Sequence, residues 1–326
     1  MTLTESALGD AGSLLQQARD LMVSAGNPTY SDAERAGVAN QIADLRSQLL
    51  AVANRSDGAG SYLFGGQGAA QAPFADVPGG VQFQGAAGNT QSASTDALPL
   101  TADGQSTWLQ ARTGNGVFTT QAVTSTGTAW IDTGTVTNPA AITGATYDIQ
   151  FSVGGAGTTY SVLKNGLPTA LTAMPFTPGQ AVQIDGMSTT IKGAPANGDA
   201  FRLGPSSASL SVFDALDQAV TNLKTPSRTG TQIAQSNVID LNNVDTAMNQ
   251  LFNARSQIGA TMNRIDSVTE RLSALKLSSQ TERSHAEDLD MTQAISDFSN
   301  QQTGYDAALK AYSMVQRLSL FNYLNV

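Results

Sequence analysis

The stretch from Leu241 to Leu275, LNNVDTAMNQLFNARSQIGATMNRIDSVTERLSAL, carries apolar residues that recur every three or four positions. This spacing places them on one face of an α-helix, in the pattern typical of a coiled-coil seam. Positions 236–284 contain no proline and a single glycine, Gly259. We therefore predict one long helix that packs lengthwise against other helices. The residues assigned to its seam are Leu241, Met248, Leu251, Ile258, Met262, Ile265 and Leu272.

The partner helices are predicted near the start of the chain. A first helix covers positions 3–25 and is stopped by Gly26, which suits a left-handed cap. Ser31 and Glu34 then form a capping box, which starts a second helix that contains VANQIADLRSQLLAV at 38–52. Its apolar residues alternate by four and three positions, as in a heptad seam. These seam residues are Val38, Ile42, Leu45, Leu49 and Val52.

The last part of the chain keeps the helical rhythm and ends in an apolar cluster, LSLFNYL at 318–324. Chain ends are normally polar and frayed, so an apolar end favours burial against another molecule. Docking of this end on the chain's own fold is the alternative. The predicted assembly interface consists of Tyr305, Leu309, Tyr312, Val315, Leu318, Leu320, Phe321, Tyr323 and Leu324.

The middle of the chain has a different composition from its flanks. Positions 57–206 hold 24 of the 31 glycines and 9 of the 11 prolines. Because both residues are unfavourable inside helices, we predict strands and loops there. The chain is accordingly divided into an N-terminal helical arm with a β-hairpin region (1–103), an inserted β-rich outer domain (104–206), a C-terminal helical arm (207–289) and a helical assembly segment (290–326).

The outer domain contains clear strand and turn signals. Apolar and polar residues alternate from Tyr147 to Val153, which indicates a strand with one buried face. Asn165-Gly166 and Asp185-Gly186 are pairs that favour two-residue hairpin turns, since such turns need positive φ angles. We predict a small antiparallel β domain.

Composition excludes several classes of function. The net charge of −9 and a charged fraction of 13% argue against a nucleic-acid binder, because phosphate contacts need clustered lysine and arginine. No run of about 18 apolar residues is present, so no membrane insertion is predicted. Met1 is followed by polar residues, which do not resemble a cleavable signal peptide. The absence of cysteine removes disulfides and thiolate sites.

No catalytic, cofactor or metal site is predicted. The single histidine, His285, lies on a helix without a convincing nucleophile partner. Paired carboxylates could in principle cleave glycosides, but most carboxylates in the β-rich zone lie in or beside turn-like sequences. The candidates there are Asp132, Asp148, Asp185 and Asp199.

The helical arms resemble the flagellin superfamily. Similarity covers most of both flanks, about half of the chain, and is specific in combination; the β insert carries no family signature. The resembling stretches are LLQQARDLMVSAGN at 14–27, SDAER at 31–35, YLFGG at 62–66, NARSQIGATMNRI at 253–265, DLDM at 288–291 and LSLFNYL at 318–324.

The resemblance implies an α+β multidomain fold, with an elongated helical coiled-coil core from both chain ends and an inserted antiparallel β domain. The ending at 318–324 is similar to members that join the flagellar hook to the filament, rather than to the filament subunit. For such a member we expect a structural adaptor, not an enzyme. Family members carry a further helical segment before the position of Met1, so we expect the segment after about 290 to be loose or to pair with another molecule.

The expected partners also follow from the resemblance. They are other copies of the chain in a ring, the first hook-associated protein, flagellin, and an export chaperone on the C-terminal segment. The expected place is the extracellular flagellum, reached through the flagellar type III export system.

Two alternatives stay open at this point. The first is the filament subunit itself. The second is a glycan-binding or hydrolytic β module carried on helical arms, for which Trp108, Trp130 and Tyr147 are the candidate aromatic contacts.

Overall fold

Helices at both ends of the chain flank a central antiparallel β region, which confirms the predicted α+β class with an inserted β domain. The computed structural model describes residues 1–69, 71–92, 97–155, 157–288 and 290–317. Two compact units are distinguished, Met1–Ile265 and Asp266–Val326. The helices are α1 (Thr2–Ala25), α2 (Asp32–Ala53), α3 (Gly104–Leu109), α4 (Val212–Lys224), α5 (Gly230–Glu287) and α6 (Met291–Arg317).

The predicted capping box is confirmed at the start of α2. Glu34 N–H donates to Ser31 Oγ at 3.3 Å, and Ser31 N–H donates to Glu34 Oε2 at 2.7 Å. Two of the backbone donors that a helix leaves unpaired at its N-terminus are thereby satisfied. The sequence signal located the start of this helix correctly because capping depends only on neighbours along the chain.

The left-handed conformation expected for Gly26 is wrong. Gly26 caps α1 with φ −69° and ψ −7°, which is right-handed. A Cβ atom at this position would lie 2.8 Å from Nδ2 of Asn237, whose amide donates to Met22 O at 2.9 Å. Glycine is favoured here because a side chain from α5 approaches the backbone closely, not because of a positive φ.

The helical core is the apolar cluster that α1, α2 and α4 form with the first half of α5. Leu8, Leu15, Ile42, Leu49 and Leu251 have no exposed surface. Each such side chain contributes about 1.5–3 kcal/mol on burial, so this cluster provides the main apolar stabilisation of the unit that contains it.

An aromatic group completes the helical core. The rings of Trp108 and Phe213 stack at 5.8 Å, and Phe64 meets Trp108 edge-on at 5.2 Å. Trp108 is carried by α3, just after the predicted start of the outer domain at 104, yet it is fully buried in the helical core. The buried residues of the second apolar cluster lie between Phe118 and Leu203.

The strands form small antiparallel sheets. The strands are β1 (Phe74–Val77), β2 (Gly80–Phe83), β3 (Ala111–Arg112), β4 (Phe118–Thr124), β5 (Trp130–Ile131), β6 (Thr135–Val136), β7 (Tyr147–Gly154), β8 (Gly157–Lys164), β9 (Leu167–Pro168), β10 (Met174–Pro175), β11 (Ala181–Ile184), β12 (Met187–Lys192), β13 (Ala200–Pro205) and β14 (Ala208–Leu210). The main sheet has the order β10–β8–β7–β13–β4, with β9 paired to β8. A second sheet has the order β11–β12–β5, with β6 paired to β12, and two further pairs are β1 with β2 and β3 with β14.

The two predicted hairpin turns are confirmed. Asn165 joins β8 to β9 with φ 51°, and Asp185 joins β11 to β12 with φ 40°. The glycine after each residue also has a positive φ, as a type I′ turn requires. The β domain, defined here as residues 118–203, encloses its own core, which includes Tyr147, Ile149 and Phe201.

Candidate functional site

The residues of the predicted coiled-coil seam occupy different environments along their helices. Those on α2 are buried, as are Met248, Leu251 and Ile258 on α5. Leu241 and Met262 are half-buried against the helical core. Ile265 is half-buried, and Leu272 is 58% exposed. Among the described residues of α5, none after Ile258 is buried. The seam on α2 covers Val38, Ile42, Leu45, Leu49 and Val52.

Ion pairs set the direction of α5 against α1. Arg19 Nε lies 2.5 Å from Asp245 Oδ1, and Arg255 Nε donates to Glu5 Oε1 at 2.7 Å. The partners run in opposite order along the two helices, so the helices are antiparallel. These pairs could not be predicted from the sequence, since no local pattern links residues so far apart in the chain.

Arg46 ties the β1–β2 hairpin to the helical core. Its guanidinium forms an ion pair with Asp76, which lies in β1. It also donates a hydrogen bond to Asp217 Oδ2 of α4 at 2.9 Å. The hydrogen bond from Arg46 lowers the pKa of the Asp76 carboxyl. This cation also lies over the ring of Phe213, 5.9 Å from its centre.

A buried carboxyl lies where α4 and α5 meet. Asp240 is 3% exposed, and both of its oxygens accept from Asn222 Nδ2, at 2.9 and 2.8 Å. Burial raises the pKa of the Asp240 carboxyl to about 6, while Asn222 and the charge of Arg228 act in the opposite direction. This buried carboxyl could not be predicted from the sequence, because a single aspartate on a helix face is usually solvated.

The carboxylates considered for glycoside cleavage are held by structural contacts. Asp148 pairs with Arg202 at 2.6 Å, and Asp185 accepts from Tyr147 and Lys164. Asp199 accepts backbone hydrogen bonds that join two loops of the β domain, and Asp132 accepts from Thr190 N and Thr189 Oγ1. These contacts explain the four residues as parts of the fold.

Of the three aromatic residues considered for glycan contacts, two are buried and one is half-buried. Trp108 has no exposed surface, and Tyr147 is 1% exposed. Trp130 is half-buried, and Lys192 Nζ lies 5.0 Å from the centre of its ring. His285 is exposed on α5.

The described part of the chain contains no candidate metal site and no helix that could span a membrane. No group of three or more histidine, cysteine, aspartate or glutamate side chains among those residues is placed to hold a metal ion. No described helix is long and apolar enough to cross a bilayer.

The C-terminal helix α6 carries an exposed row of large apolar side chains. Tyr305, Leu309, Tyr312 and Val315 of the predicted interface are 67%, 48%, 63% and 65% exposed. Residues of the same row nearer the start of α6 are Met291, Ile295 and Phe298. The remaining predicted interface residues, Leu318, Leu320, Phe321, Tyr323 and Leu324, lie outside the described residues.

Two family comparisons match the helical arms. Residues 1–69 match the bacterial flagellin N-terminal helical region, and residues 241–324 match the bacterial flagellin C-terminal helical region. These are the arms whose helices form the core and carry the exposed row.

Similar proteins extend the match over almost the whole chain. The flagellar hook-associated protein 3 of Escherichia coli (strain K12) is 24% identical over 325 residues, which cover 98% of this chain and 76% of that protein. The crystal structure of flagellar hook-associated protein 3 from Legionella pneumophila has a TM-score of 0.80 at 26% identity and covers 88% of this chain and 92% of that one. The crystal structure of FlgL from Xanthomonas campestris has a TM-score of 0.77 at 27% identity, with 87% and 93% covered.

Proposed function

Because this chain is a flagellin-superfamily protein of the hook-associated protein 3 type, we propose that it is a structural adaptor that joins the hook of the bacterial flagellum to the filament. Its helical ends supply the contacts, and the chain carries out no catalysis.

The observation that carries this proposal is the exposed apolar row on α6. Large apolar side chains repeat at helical spacing along the row, which includes Phe298, Tyr305, Leu309 and Tyr312, and all of them are about half or more exposed. A contiguous apolar surface of this kind marks a site of association. Each side chain contributes about 1.5–3 kcal/mol when a partner covers it, so a few of them suffice to hold a subunit in an assembly.

The proposed partners are proteins with matching helical ends. Copies of this chain form a ring whose terminal helices line the inner tube, and the β domain faces outward. One side of the ring meets the first hook-associated protein, and the other meets the first layer of flagellin. Residues 290–326, with the predicted interface, make these contacts and bind an export chaperone before assembly.

The proposed place of action is the outside of the cell, after export through the flagellar type III system. A chain without cysteine suits passage in an unfolded form, since no disulfide can form on the way. Lateral contacts, repeated around the ring, then bury surface area between neighbouring subunits, and assembly needs no chemical reaction.

Deletion of the gene in the source bacterium tests the proposal. Imaging of the cells and detection of flagellin in the medium distinguish the outcomes. We expect bare hooks together with unpolymerised flagellin in the medium. Missing filaments without released flagellin would indicate the filament subunit instead, and normal filaments would contradict an assembly role.

A further inference from the structure

The β domain and the helical core bury separate apolar clusters. Side chains such as Phe118, Ile131 and Phe201 form one cluster, and none of its buried members belongs to the cluster that contains Leu15 and Leu251. A shared apolar interior is what normally fixes two domains relative to each other. The angle of the β domain on the helical core must therefore be set by other contacts.

The first of these contacts is the ribbon of β3 and β14, through which the chain enters and leaves the β domain. Ala208 pairs with Arg112 and Leu210 with Ala111, with a register shift between the pairs. Beyond the strands, Thr113 N–H donates to Ser207 O at 2.9 Å. Both connections lie side by side, and a register shift bends and twists a strand pair. The ribbon is thus a bent two-stranded connection about which the β domain can turn, and it is called the pivot below.

The second contact is made by the side chain of Gln235 on α5. Ile131 N–H donates to Gln235 Oε1 at 2.7 Å, and Gln235 Nε2 donates to Ile131 O at 3.0 Å. Ile131 pairs with Ile191 of β12 in its sheet. The side-chain amide of Gln235 therefore pairs with both backbone groups of Ile131, as a residue of a further strand would do at the edge of β5. Thr231, one helical turn earlier, donates to Thr128 O at 3.3 Å.

A cleft with a volume of about 450 Å³ lies beside Gln235, and both polar and apolar side chains line it. The β domain contributes Gln121 and Ser125 to its walls, and the helices contribute Gln218, Gln232 and Gln235. Amide and hydroxyl groups exchange protein partners for water at little net cost. The cleft also separates the facing side chains, so its walls provide no close packing that holds the β domain in one position.

We propose that Gln235 is a latch that fixes the angle of the β domain on the helical core, and that its release lets the domain turn about the β3–β14 ribbon. The latch consists of two hydrogen bonds between the Gln235 side chain and the backbone N–H and C=O groups of Ile131. Its release leaves both apolar clusters intact, so the domain turns without unfolding. This inference rests on the two separate apolar clusters, the β3–β14 ribbon and the contacts of Gln235, and does not depend on the proposed function.

Distance measurement between two spin labels tests the latch in the full-length protein. The chain has no cysteine, so Asn40→Cys on α2 and Gln183→Cys on β11, both exposed, give one label on each side of the pivot. We expect a single narrow distance distribution in this background. Gln235→Ala should broaden or shift the distribution. Gln235→Glu, which keeps the acceptor for Ile131 N–H but loses the donor at pH 7.5, should do so as well.

Gln121→Ala is the matched control, because Gln121 lines the same cleft and is exposed. Its distance distribution should equal that of the background. Hydrogen exchange of the Ile131 amide provides a second readout, since Gln235→Ala removes its acceptor and should accelerate exchange at that residue while the Ile149 amide in the β-domain core stays protected. Unchanged distance distributions in both Gln235 variants would overturn the proposal, whatever the exchange rate of the Ile131 amide.

Discussion

Arg19 of α1 and Asp245 of α5 form an ion pair with 2.5 Å between Nε and Oδ1, although 226 positions separate them in the chain. Together with the Glu5–Arg255 pair, it specifies the antiparallel direction of the two helices. In a parallel arrangement, Glu5 would face Asp245 and Arg19 would face Arg255. The charges therefore disfavour the wrong orientation as well as stabilise the right one.

The Arg19–Asp245 pair should show a small but measurable coupling. Arg19→Ala, Asp245→Ala and the double variant form a cycle, and we expect a coupling free energy of about 0.2–1 kcal/mol, because both side chains are partly exposed. Urea unfolding measures it. The coupling should fall at about 1 M salt, where screening is strong. A coupling that does not respond to salt would contradict an ionic origin.

The two halves of the coiled-coil seam on α5 should respond differently when a leucine side chain is truncated to alanine. Leu251→Ala removes a fully buried side chain and should lower the free energy of unfolding by about 2–5 kcal/mol. Leu272→Ala is the matched control, since Leu272 is 58% exposed and should change stability by at most about 0.5 kcal/mol. Equal effects of the two substitutions in urea unfolding of the monomer would contradict the burial found here.

Asp240 should make the unfolding free energy depend on pH. Its pKa is about 6 in the folded chain and near the ordinary 3.8 when unfolded, so the folded state binds the proton more tightly. Stability from this group is therefore gained as the pH falls through about 6 and is lost as the pH rises through it. Between pH 5 and 7.5, the wild type should lose stability relative to Asp240→Asn.

The magnitude follows from the size of the pKa shift. A shift of roughly two units corresponds to about 3 kcal/mol over the whole window between pH 3.8 and about 6. About one unit of this window lies above pH 5, so the wild type should lose about 1.4 kcal/mol relative to Asp240→Asn between pH 5 and 7.5. Asp240→Asn should be the more stable protein at pH 7.5. Urea unfolding of both proteins across this pH range measures the difference. Two results would contradict the raised pKa of Asp240. One is a difference in unfolding free energy that stays constant with pH, and the other is a wild type whose stability increases relative to Asp240→Asn as the pH rises.

Much of the fold could be predicted from local patterns. The heptad spacing from Val38 to Val52, the capping box at Ser31 and the turn at Asn165 each depend on residues close together in sequence, and the structure confirms helix α2, its cap and the hairpin. The predicted similarity of the two helical arms to flagellin is confirmed by the matches to the flagellin helical regions. The predicted α+β class is confirmed by the order of helices and strands.

Features that depend on distant partners could not be predicted. The apolar rhythm of α5 does not reveal that burial ends after Ile258, because periodicity identifies a face and not the length over which a partner covers it. Gly26 was assigned a positive φ, whereas the close approach of Asn237 is the actual constraint. Trp108 lies just inside the segment predicted as the outer domain, but its ring completes the helical core. The predicted interface and segment boundaries stay predictions.

The central claim, assembly through the apolar row of α6, is tested most directly by complementation of the gene-deletion strain with Leu309→Asp. Leu167→Asp is the matched control, because both leucines are exposed, by 48% and 71%, and neither supports an apolar core. Filament number per cell and flagellin in the medium are measured at equal amounts of exported protein. The account predicts bare hooks and released flagellin with Leu309→Asp, and normal filaments with Leu167→Asp. Normal filaments with Leu309→Asp would contradict it.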